Sequence, residues 1–309
     1  MPSLFSAYRI LTVTQVRDIA DVLIFLVSTD VPQRIRDSFE TLGVTFIPLP
    51  MDAFCRKADI TFNRTHVPVT ALGRLALPEV MPQNYEHIVY LDGDTYATGE
   101  ITPLIQHTVA PGKVAAAADS TWLAEGQLGS FWNSHNGYLN SVGIDDARDY
   151  FNSGVLAFQM HTWRKFAPAA LTFFEKNSEI CRYHDQSALN ATFVGQREAL
   201  SPQWNFQSGY QELGAGFERR ILHFTGGFKP WKTPMSVWGR AMFDEYLDFV
   251  RRYPELGSAQ PESAAERGSY SIARRTLASL HPRNLLHRIR LARKRVLLRR
   301  YIARSDFAI

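Results

Sequence analysis

The amino-acid sequence predicts an α/β protein, with helices packed on the faces of an open sheet. Two observations support this prediction. Apolar runs of strand length alternate with helix-like segments along the chain, and the first of them form a β-α-β unit. That unit has a continuous apolar run at 22–27, a helix at 32–42 ended by Gly43, and a second strand at 44–49. Continuous apolar runs are typical of strands that are buried on both faces of a sheet.

The rest of the sequence continues this alternation with one interruption. Residues 119–150 are rich in Gly, Asn, Ser and aromatic residues, and they predict a long loop of the kind that covers a binding site. A segment of linker composition, 254–268, follows the last amphipathic helix. Further strands are predicted at 87–91, 114–118, 154–159 and 219–224, and further helices at 2–17, 161–176, 186–193 and 238–252.

Composition excludes several classes of protein. Of 309 residues, 45% are hydrophobic and 21% are charged, which is typical of a globular chain and excludes a collagenous, coiled-coil or mostly disordered one. No apolar run reaches the ~20 residues that a membrane-spanning helix needs, and the first residues do not resemble a secretory signal. Two cysteines, Cys55 and Cys181, are too few for a disulfide scaffold. We therefore expect a cytoplasmic protein with reduced thiols.

The net charge of +4 is distributed unevenly. Residues 1–273 carry 23 Lys and Arg against 29 Asp and Glu, whereas residues 274–309 carry 11 Lys and Arg against one acid, Asp306. The body is therefore mildly acidic and the tail is strongly basic. The overall charge does not by itself indicate a nucleic-acid-binding protein.

The strongest chemical signal is Asp92-Gly93-Asp94, which directly follows the strand at 87–91. At the carboxyl end of a strand, two carboxylates one residue apart can point into the crevice where α/β folds bind ligands. They are hard oxygen ligands for Mg²⁺ or Mn²⁺, and Gly93 allows the backbone to approach a ligand closely. The alternative is a pair of solvated turn acids, because so short a motif also occurs by chance.

A second signal lies in the segment from His223 to Trp231. A neutral histidine is a common ligand of transition metals and would favour Mn²⁺ over Mg²⁺. The Gly226-Gly227 pair can form a turn whose N–H groups cradle a phosphate, and Lys229 adds a positive charge. The alternative is a glycine-rich turn with a buried tryptophan anchor.

A third signal comes from short polar side chains at the ends of regular elements. Residues 151–154 (Phe-Asn-Ser-Gly) and 184–186 (His-Asp-Gln) carry groups that hydrogen-bond well to sugar hydroxyls. For Asp185 the alternative is a helix cap.

In combination, these motifs resemble family 8 of the retaining glycosyltransferases, which includes bacterial lipopolysaccharide galactosyl- and glucosyltransferases and glycogenin. The resemblance spans about residues 3–250 and rests on residues 90–94, 150–154, 184–186 and the His223–Trp231 segment, in that order. It implies a GT-A (Rossmann-like) fold with an open mixed sheet, a UDP-sugar donor, retention of the anomeric configuration, and Mn²⁺, with Mg²⁺ as the alternative metal.

The resemblance also assigns roles to individual residues. The metal ligands would be Asp92, Asp94 and His223, and the catalytic residues would be Gln186, Asp185 and Asn152. The donor would be bound by Arg74, Asp92, Gly93, Asp94, Ser153, Gly226 and Lys229.

The expected chemistry is consistent with these roles. The breaking bond joins the anomeric carbon to a diphosphate, so a metal and a lysine at the diphosphate stabilise charge where it develops. The sugar becomes oxocarbenium-like, and the Gln186 amide and the Asp185 carboxylate can stabilise its positive centre. No carboxylate nucleophile is evident at Gln186. The sequence therefore favours a front-face mechanism over a covalent intermediate but leaves the choice open. In the front-face mechanism the leaving phosphate accepts the proton of the acceptor hydroxyl.

The basic tail predicts contact with an anionic membrane surface. Each Lys or Arg near such a surface contributes on the order of 1 kcal/mol of binding free energy. Nucleic-acid contact and a merely solvated run of charges are the alternatives, and an acidic body makes nucleic acid the weaker one. Nine Lys and Arg residues lie in 281–304, and one helical stripe is formed by Leu285, Ile289, Ala292 and Val296, whereas Leu291, Leu298 and Ile302 lie off it.

Together these features predict a GT-A domain at 1–255, a linker at 256–280 and a basic amphipathic tail at 281–309. We expect transfer of glucose or galactose from UDP to a saccharide or glycolipid, such as a bacterial lipopolysaccharide, at the inner face of the plasma membrane, with no nucleic-acid partner. One alternative is a weakly active sugar-nucleotide-binding remnant. Another is a haloacid dehalogenase-type phosphohydrolase, because residues 92–95 fit D-x-D-x-T, but that would leave the His223–Trp231 segment unexplained.

The start of the sequence carries a further expectation. Members of the family open with a central strand that precedes the first helix, whereas here residues 4–17 match that helix and the strand at 22–27 matches the second strand. We therefore expect a gap or an unpaired edge in the sheet, and a donor pocket open on its uracil side. The corresponding hypothesis is a natural start upstream of Met1 or a poorly active chain.

Overall fold

The computed structural model describes residues 2–27, 31–57, 69–125, 130–214, 216–227, 229–234, 236–256, 285–304 and 306–309. The predicted linker at 256–280, apart from Leu256, and residues 281–284 of the predicted tail lie outside this range. Within it, Cys55 is half-buried, Cys181 is buried, and both are free cysteines. No helix of the described chain is both long and apolar enough to cross a membrane.

The fold is α/β, and its strands are divided among three sheets. A parallel pair consists of β1 and β2, a mixed sheet has the order β3-β6-β5-β7, and a small sheet has the order β4-β9-β8. The strands are β1 (Val22–Leu26), β2 (Val44–Pro48), β3 (His87–Leu91), β4 (Thr95–Ala97), β5 (Val114–Ala118), β6 (Phe151–Gln159), β7 (Arg197–Leu200), β8 (Phe206–Gln207) and β9 (Ile221–His223).

Helices pack on both faces of these sheets, as apolar strands require. The α-helices are α1 (Pro2–Val13), α2 (Gln33–Thr41), α3 (Met51–Lys57), α4 (Leu77–Val80), α5 (Thr102–Gln106), α6 (Ser130–Ser141), α7 (Met160–Lys176), α8 (Asp185–Thr192), α9 (Ser208–Gln211), α10 (Gly239–Arg252) and α11 (Leu285–Ile302). Short 3₁₀ turns include Val69–Ala76, Ser120–Ala124 and Pro202–Asn205.

The mixed sheet is the centre of the molecule. All five residues of β5 are fully buried, because they pack into one hydrophobic core on each face of the sheet. Strand β6 is antiparallel to both β3 and β5, while β7 is parallel to β5. On one face, the α7 side chain of Trp163 stacks on Phe158 of β6 at 4.1 Å. The predicted strands at 87–91 and 114–118 are confirmed.

The prediction of a long loop over 119–150 is wrong. The segment contains a 3₁₀ turn and the 12-residue helix α6. Serine, asparagine and glycine lower helix propensity and concealed this helix in the sequence. Packing compensates for that deficit, because Tyr138, Leu139 and Val142 are buried in the core.

The helix α11 packs against the α/β body. Its Leu298 and Tyr301 are buried in the same core as β5, and Tyr301 lies 4.9 Å from Trp122 between ring centroids. Beyond the helix, the Ala308 N–H donates to the Ala199 carbonyl at 2.9 Å. The end of the chain therefore lies along β7.

Strands β1 and β3 do not pair with each other in the described chain. Both strands pack on the same two cores, and Tyr85, just before β3, donates a hydrogen bond to Asp21, just before β1, at 2.8 Å. Among the described residues β1 pairs only with β2, and β3 pairs only with β6. The side chains of β1 and β3 are mostly half-buried, unlike those of β5. The two strands thus each have one edge without a strand partner in the described chain, and the missing first strand stays a prediction.

Candidate functional site

Strand directions bring the predicted site together at one edge of the mixed sheet. Because β6 is antiparallel to β3 and β5, the carboxyl ends of those two strands lie beside the amino end of β6. The Asp92 N–H donates to the Gly154 carbonyl at 2.8 Å, and the Asp119 N–H donates to the Tyr150 carbonyl at 2.9 Å. Side chains from all three strand ends therefore share one crevice.

Asp92 and Asp94, which follow β3, form a candidate metal centre with His223 of β9. Asp92, Asp94 and His223 each offer one ligand atom, and the three atoms lie within 4.8 Å of one another. His223 Nε2 is 3.3 Å from Asp94 Oδ1 and 3.8 Å from Asp92 Oδ2. Two carboxylates and one imidazole form a donor set that suits a divalent cation such as Mn²⁺.

The ring of His223 is held in the orientation that a metal ligand needs. His223 Nδ1 donates to Asn205 Oδ1 at 2.9 Å, since that amide's own NH₂ group donates to Asn152 Oδ1 at 2.9 Å. Nδ1 is thus occupied, and Nε2, which faces the carboxylates, is the nitrogen that a metal ion could use. Gly154 makes room for the ring, because a Cβ at that position would lie 2.0 Å from His223 Cε1.

Lys229 adds a positive charge beside the carboxylates. Its ammonium donates to Asp94 Oδ2 and to the Phe224 carbonyl. Burial raises the pKa of Asp94, but His223 and Lys229 outweigh it and hold that pKa well below its usual range. Asp94 is therefore a carboxylate at neutral pH, and Lys229 supplies a cation that is paired with it.

Arg74 links the metal centre to the next group of residues. It is 6% exposed, and its NH2 group donates to Asp92 Oδ1 at 2.7 Å. Tyr90 donates to the same Oδ1 at 2.8 Å, so Asp92 keeps Oδ2 directed toward His223. Arg74 also donates through NH1 to the Ser153 carbonyl, and its Nε lies 3.0 Å from Asp185 Oδ2.

Asp185 begins helix α8 under backbone strain. The preceding His184 has φ +54°, the only positive φ of a non-glycine residue in the described chain, and such strain clusters at functional sites. The Asp185 side chain lies close to the backbone N–H groups of Asp185 and Gln186, and it faces Arg74 in an ion pair whose angle does not form a hydrogen bond. Burial nevertheless raises the pKa of Asp185 to about 6, since Arg74 is shared with Asp92.

A network of amides lies beside the carboxylates. Gln186 Oε1 accepts from the Ser153 N–H and from Asn152 Nδ2, each at 3.1 Å. Gln186 Nε2 and Asn152 Nδ2 both donate to Asp119 Oδ2, again at 3.1 Å. Sequence reasoning missed Asp119. The available signal was its position directly after the strand at 114–118. Asp119 also caps a 3₁₀ turn by accepting a hydrogen bond from the Thr121 N–H, and this second role made the signal harder to recognise.

The two predicted donor-binding glycines lie in different surroundings. A Cβ on Gly93 would lie 2.2 Å from Ser3 Oγ, so this glycine allows the start of α1 to lie against the Asp92–Asp94 turn. Gly226 has φ +79°, which glycine adopts without strain, in the turn between His223 and Lys229. Their contact with a donor, like that of Ser153, stays a prediction.

The site thus has two chemically distinct halves. One half combines the Asp92, Asp94 and His223 donor set with the flanking cations Arg74 and Lys229, which suits a divalent ion and an anionic phosphate group. The other half consists of the amides of Asn152 and Gln186 beside carboxylates, which suits the hydroxyl groups of a sugar.

Comparison with known proteins agrees with this geometry. The sequence profile of glycosyl transferase family 8 matches residues 2–234. General stress protein A of Bacillus subtilis is 24% identical over 244 residues, which cover 73% of this chain and 80% of that protein. The lipopolysaccharide 1,3-galactosyltransferase of Salmonella typhimurium is 23% identical over 185 residues, covering 56% of this chain and 51% of that enzyme.

A solved structure establishes the fold. The galactosyltransferase LgtC, crystallised with donor and acceptor sugar analogues, superposes with a TM-score of 0.63 at 20% identity. The match covers 79% of this chain and 90% of that one. The predicted GT-A fold is confirmed, and the profile match identifies a transferase.

Proposed function

Because the chain belongs to glycosyl transferase family 8, we propose that it transfers glucose or galactose from a UDP-sugar to a saccharide acceptor with retention of anomeric configuration. The single observation that carries this proposal is the cluster of Asp92, Asp94 and His223 beside a row of sugar-binding amides. A phosphohydrolase of the haloacid dehalogenase type would need neither His223 nor Gln186.

The metal half of the site supports Mn²⁺ as the cofactor. Asp92 Oδ2, Asp94 Oδ1 and His223 Nε2 would hold the ion, and the imidazole favours Mn²⁺ over Mg²⁺. When bound, the ion would neutralise the charge that develops on the leaving diphosphate. Lys229 is placed to move from Asp94 to the diphosphate, since a divalent cation would replace its charge at that carboxylate.

The amide half of the site supports the binding of the transferred hexose. Gln186 and Asn152 are oriented by Asp119 before any ligand binds, so little reorganisation is needed on binding. Because both ends of the Gln186 amide already have protein partners, its oxygen is poorly suited to attack the anomeric carbon. This favours the front-face mechanism, in which the leaving phosphate accepts the proton of the acceptor hydroxyl.

The acceptor is proposed by analogy with the relatives. One of them is by name a lipopolysaccharide galactosyltransferase, and a bacterial surface glycan carried on a lipid is therefore the acceptor class that we propose. The turn at Ser120–Ala124 directly follows Asp119, and Tyr138 of α6 forms a hydrogen bond with Ser187, which follows Gln186. These two elements would shape the acceptor site.

The decisive experiment measures UDP release with Mn²⁺ across a panel of UDP-sugars, with and without lipopolysaccharide-derived saccharides. We expect release from UDP-glucose or UDP-galactose that depends on Mn²⁺ and increases with an acceptor. Hydrolysis of simple phosphomonoesters, with no UDP release from any sugar nucleotide, would contradict the proposal and favour the phosphohydrolase alternative.

A further inference from the structure

Asn205 is a buried side chain with no direct role in the proposed reaction. It ends the 3₁₀ turn Pro202–Asn205 and directly precedes β8, which pairs in parallel with β9, so that Gln207 lies opposite His223. The side chain of Asn205 is fully buried. A buried amide needs hydrogen-bond partners for its oxygen and for its NH₂ group, and the identity of those partners indicates what the side chain does.

The two ends of the Asn205 amide have partners in different halves of the site. Its Oδ1 accepts from His223 Nδ1 at 2.9 Å, and its Nδ2 donates to Asn152 Oδ1 at 2.9 Å. Asn152 in turn donates to Gln186 Oε1 and to Asp119 Oδ2, each at 3.1 Å. One continuous row of hydrogen bonds therefore runs from a candidate metal ligand to the amides of the sugar half.

The orientation of the amides in this row is fixed by their neighbours. The Gly154 N–H donates to Asn152 Oδ1 at 3.1 Å, so the Asn152 oxygen faces Gly154 and Asn205 while its NH₂ group faces Asp119. If the Asn205 amide rotated by 180°, its oxygen would face the Asn152 oxygen and its NH₂ group would face His223. Two buried acceptors would then lie together without a proton between them, which is unfavourable.

A second side chain of the same segment holds the backbone around Asp119. Gln207 is fully buried, its Oε1 accepts from the Ser120 N–H at 2.8 Å, and its Nε2 donates to the Ala118 carbonyl at 3.0 Å. These two contacts lie on either side of Asp119, the carboxylate that accepts from the amides of the sugar half. The short segment that contains Asn205 therefore supports both the amides and their carboxylate acceptor.

We propose that Asn205 is a positioning residue that couples the metal centre to the sugar half of the site. The inference rests on the proposed function and adds that the two halves do not act independently. With an ion bound, the His223 ring would be held at both nitrogens, and the Asn205 amide would keep the Asn152 NH₂ group directed toward Asp119 and Gln186.

This coupling has a consequence in the opposite direction, because a coupling free energy between two sites is reciprocal. A change at Asn152 should alter the affinity for the ion, although Asn152 is not one of the proposed ligands and forms its hydrogen bonds with Asn205, Gln186 and Asp119. A purely structural Asn205 would give no such effect.

The first experiment changes one end of the Asn205 amide at a time. Asn205→Asp keeps an oxygen for His223 Nδ1 but places a second oxygen against Asn152 Oδ1. The metal-free full chain, titrated with Mn²⁺ alone and followed by the electron paramagnetic resonance signal of the free ion, should bind at least as tightly as the wild type. The reason is that a carboxylate on Nδ1 makes the imidazole a stronger ligand. The kcat for UDP release should nevertheless fall by about 10-fold or more, because Asn152 is no longer held.

A companion variant removes both ends of the amide. Asn205→Ala should lower the Mn²⁺ affinity and kcat together, each by about 10-fold or more. The matched controls Asn177→Asp and Asn177→Ala make the same substitutions at the end of α7, where Asn177 donates to the Phe173 carbonyl at 2.9 Å. Both controls should keep the wild-type Mn²⁺ affinity and kcat. The melting temperature of each variant establishes that it folds.

The second experiment measures the coupling from the sugar half. Asn152→Ala removes the acceptor of the Asn205 NH₂ group and should weaken Mn²⁺ binding by about 5-fold or more. Should either Asn205 variant fail to fold, this titration decides the proposal by itself. Equal Mn²⁺ affinities of Asn152→Ala and the wild type would overturn it. A wild-type kcat in Asn205→Asp, or the same loss of Mn²⁺ affinity in Asn205→Asp and Asn205→Ala, would also overturn it. The Mn²⁺ titrations need no sugar nucleotide, so a wild type that releases no UDP would contradict the proposed function alone.

Discussion

Asp94 contacts both His223 and Lys229, so removing its charge tests the metal centre directly. We expect Asp94→Asn to lower Mn²⁺-dependent turnover by at least about 100-fold. The amide is a weaker metal ligand than the carboxylate, and it no longer forms an ion pair with Lys229. The free energy of unfolding should change by only about 1 kcal/mol, because the pair is partly exposed. Turnover and melting temperature are the measurements, with Asp244→Asn on α10 as the control. Full activity in EDTA would contradict the assignment.

Gln186 contacts Asn152, Ser153 and Asp119 but none of the three metal-ligating atoms. We expect Gln186→Ala to lower kcat strongly while leaving the affinity for UDP within about threefold, because the lost contacts belong to the sugar half of the site. Steady-state kinetics and calorimetric titration of UDP measure the two effects, with Gln33→Ala on the surface of α2 as the control. An equal loss of UDP affinity would instead indicate a structural role.

The raised pKa of Asp185 predicts a pH dependence of stability. Between its ordinary value near 3.8 and about 6, the folded state keeps a proton that the unfolded state has lost. The free energy of unfolding should therefore fall as the pH rises through this window, by about 3 kcal/mol, and Asp185→Asn should remove that fall. Urea unfolding of both proteins from pH 4 to 7 measures the difference. Identical pH profiles would show that Arg74 keeps Asp185 ionised throughout.

At the scale of the element, α11 supports the segment that carries Asp119. Tyr301 packs on Trp122, which lies three residues after Asp119, and Arg293 donates to the Glu125 carbonyl at 2.8 Å. We expect Leu298→Ala to destabilise the protein by about 2–5 kcal/mol, as cavities in a buried core do. It should also lower kcat, because the Asp119 segment loses its support. Chemical unfolding and turnover test this, with Leu285→Ala on the exposed face as the control. Undiminished turnover in a destabilised variant would limit α11 to a role in stability.

The elements also show what a sequence can reveal about such a site. The strand at 87–91 and the motif at Asp92-Gly93-Asp94 were predictable, because strand periodicity and metal chemistry are local properties. Asp119 was harder to recognise, because its role depends on β5 and β6 being antiparallel, which places it beside Asn152. The sequence also could not predict which apolar face of α11 is buried, because only tertiary packing decides this.

At the scale of the whole molecule, the strands differ in how many hydrogen-bonded neighbours they have and in how deeply they are buried. Strand β6 has a hydrogen-bonded neighbour on each side and is buried along eight of its nine residues. Strand β1 pairs only with β2 in the described chain, and just one of its five side chains is fully buried. Local opening is least costly where few apolar contacts and few ladder bonds must be broken.

This difference predicts that the molecule does not open as one unit. We expect the amides of β1 and β2 to exchange with deuterium at least about 100-fold faster than those of β5 and β6, because the β1–β2 pair can separate while the mixed sheet stays intact. Native-state hydrogen exchange followed by mass spectrometry measures both regions in one sample, and β6 serves as the internal reference. Protection of β1 equal to that of β6 would mean that another strand pairs with its open edge in solution.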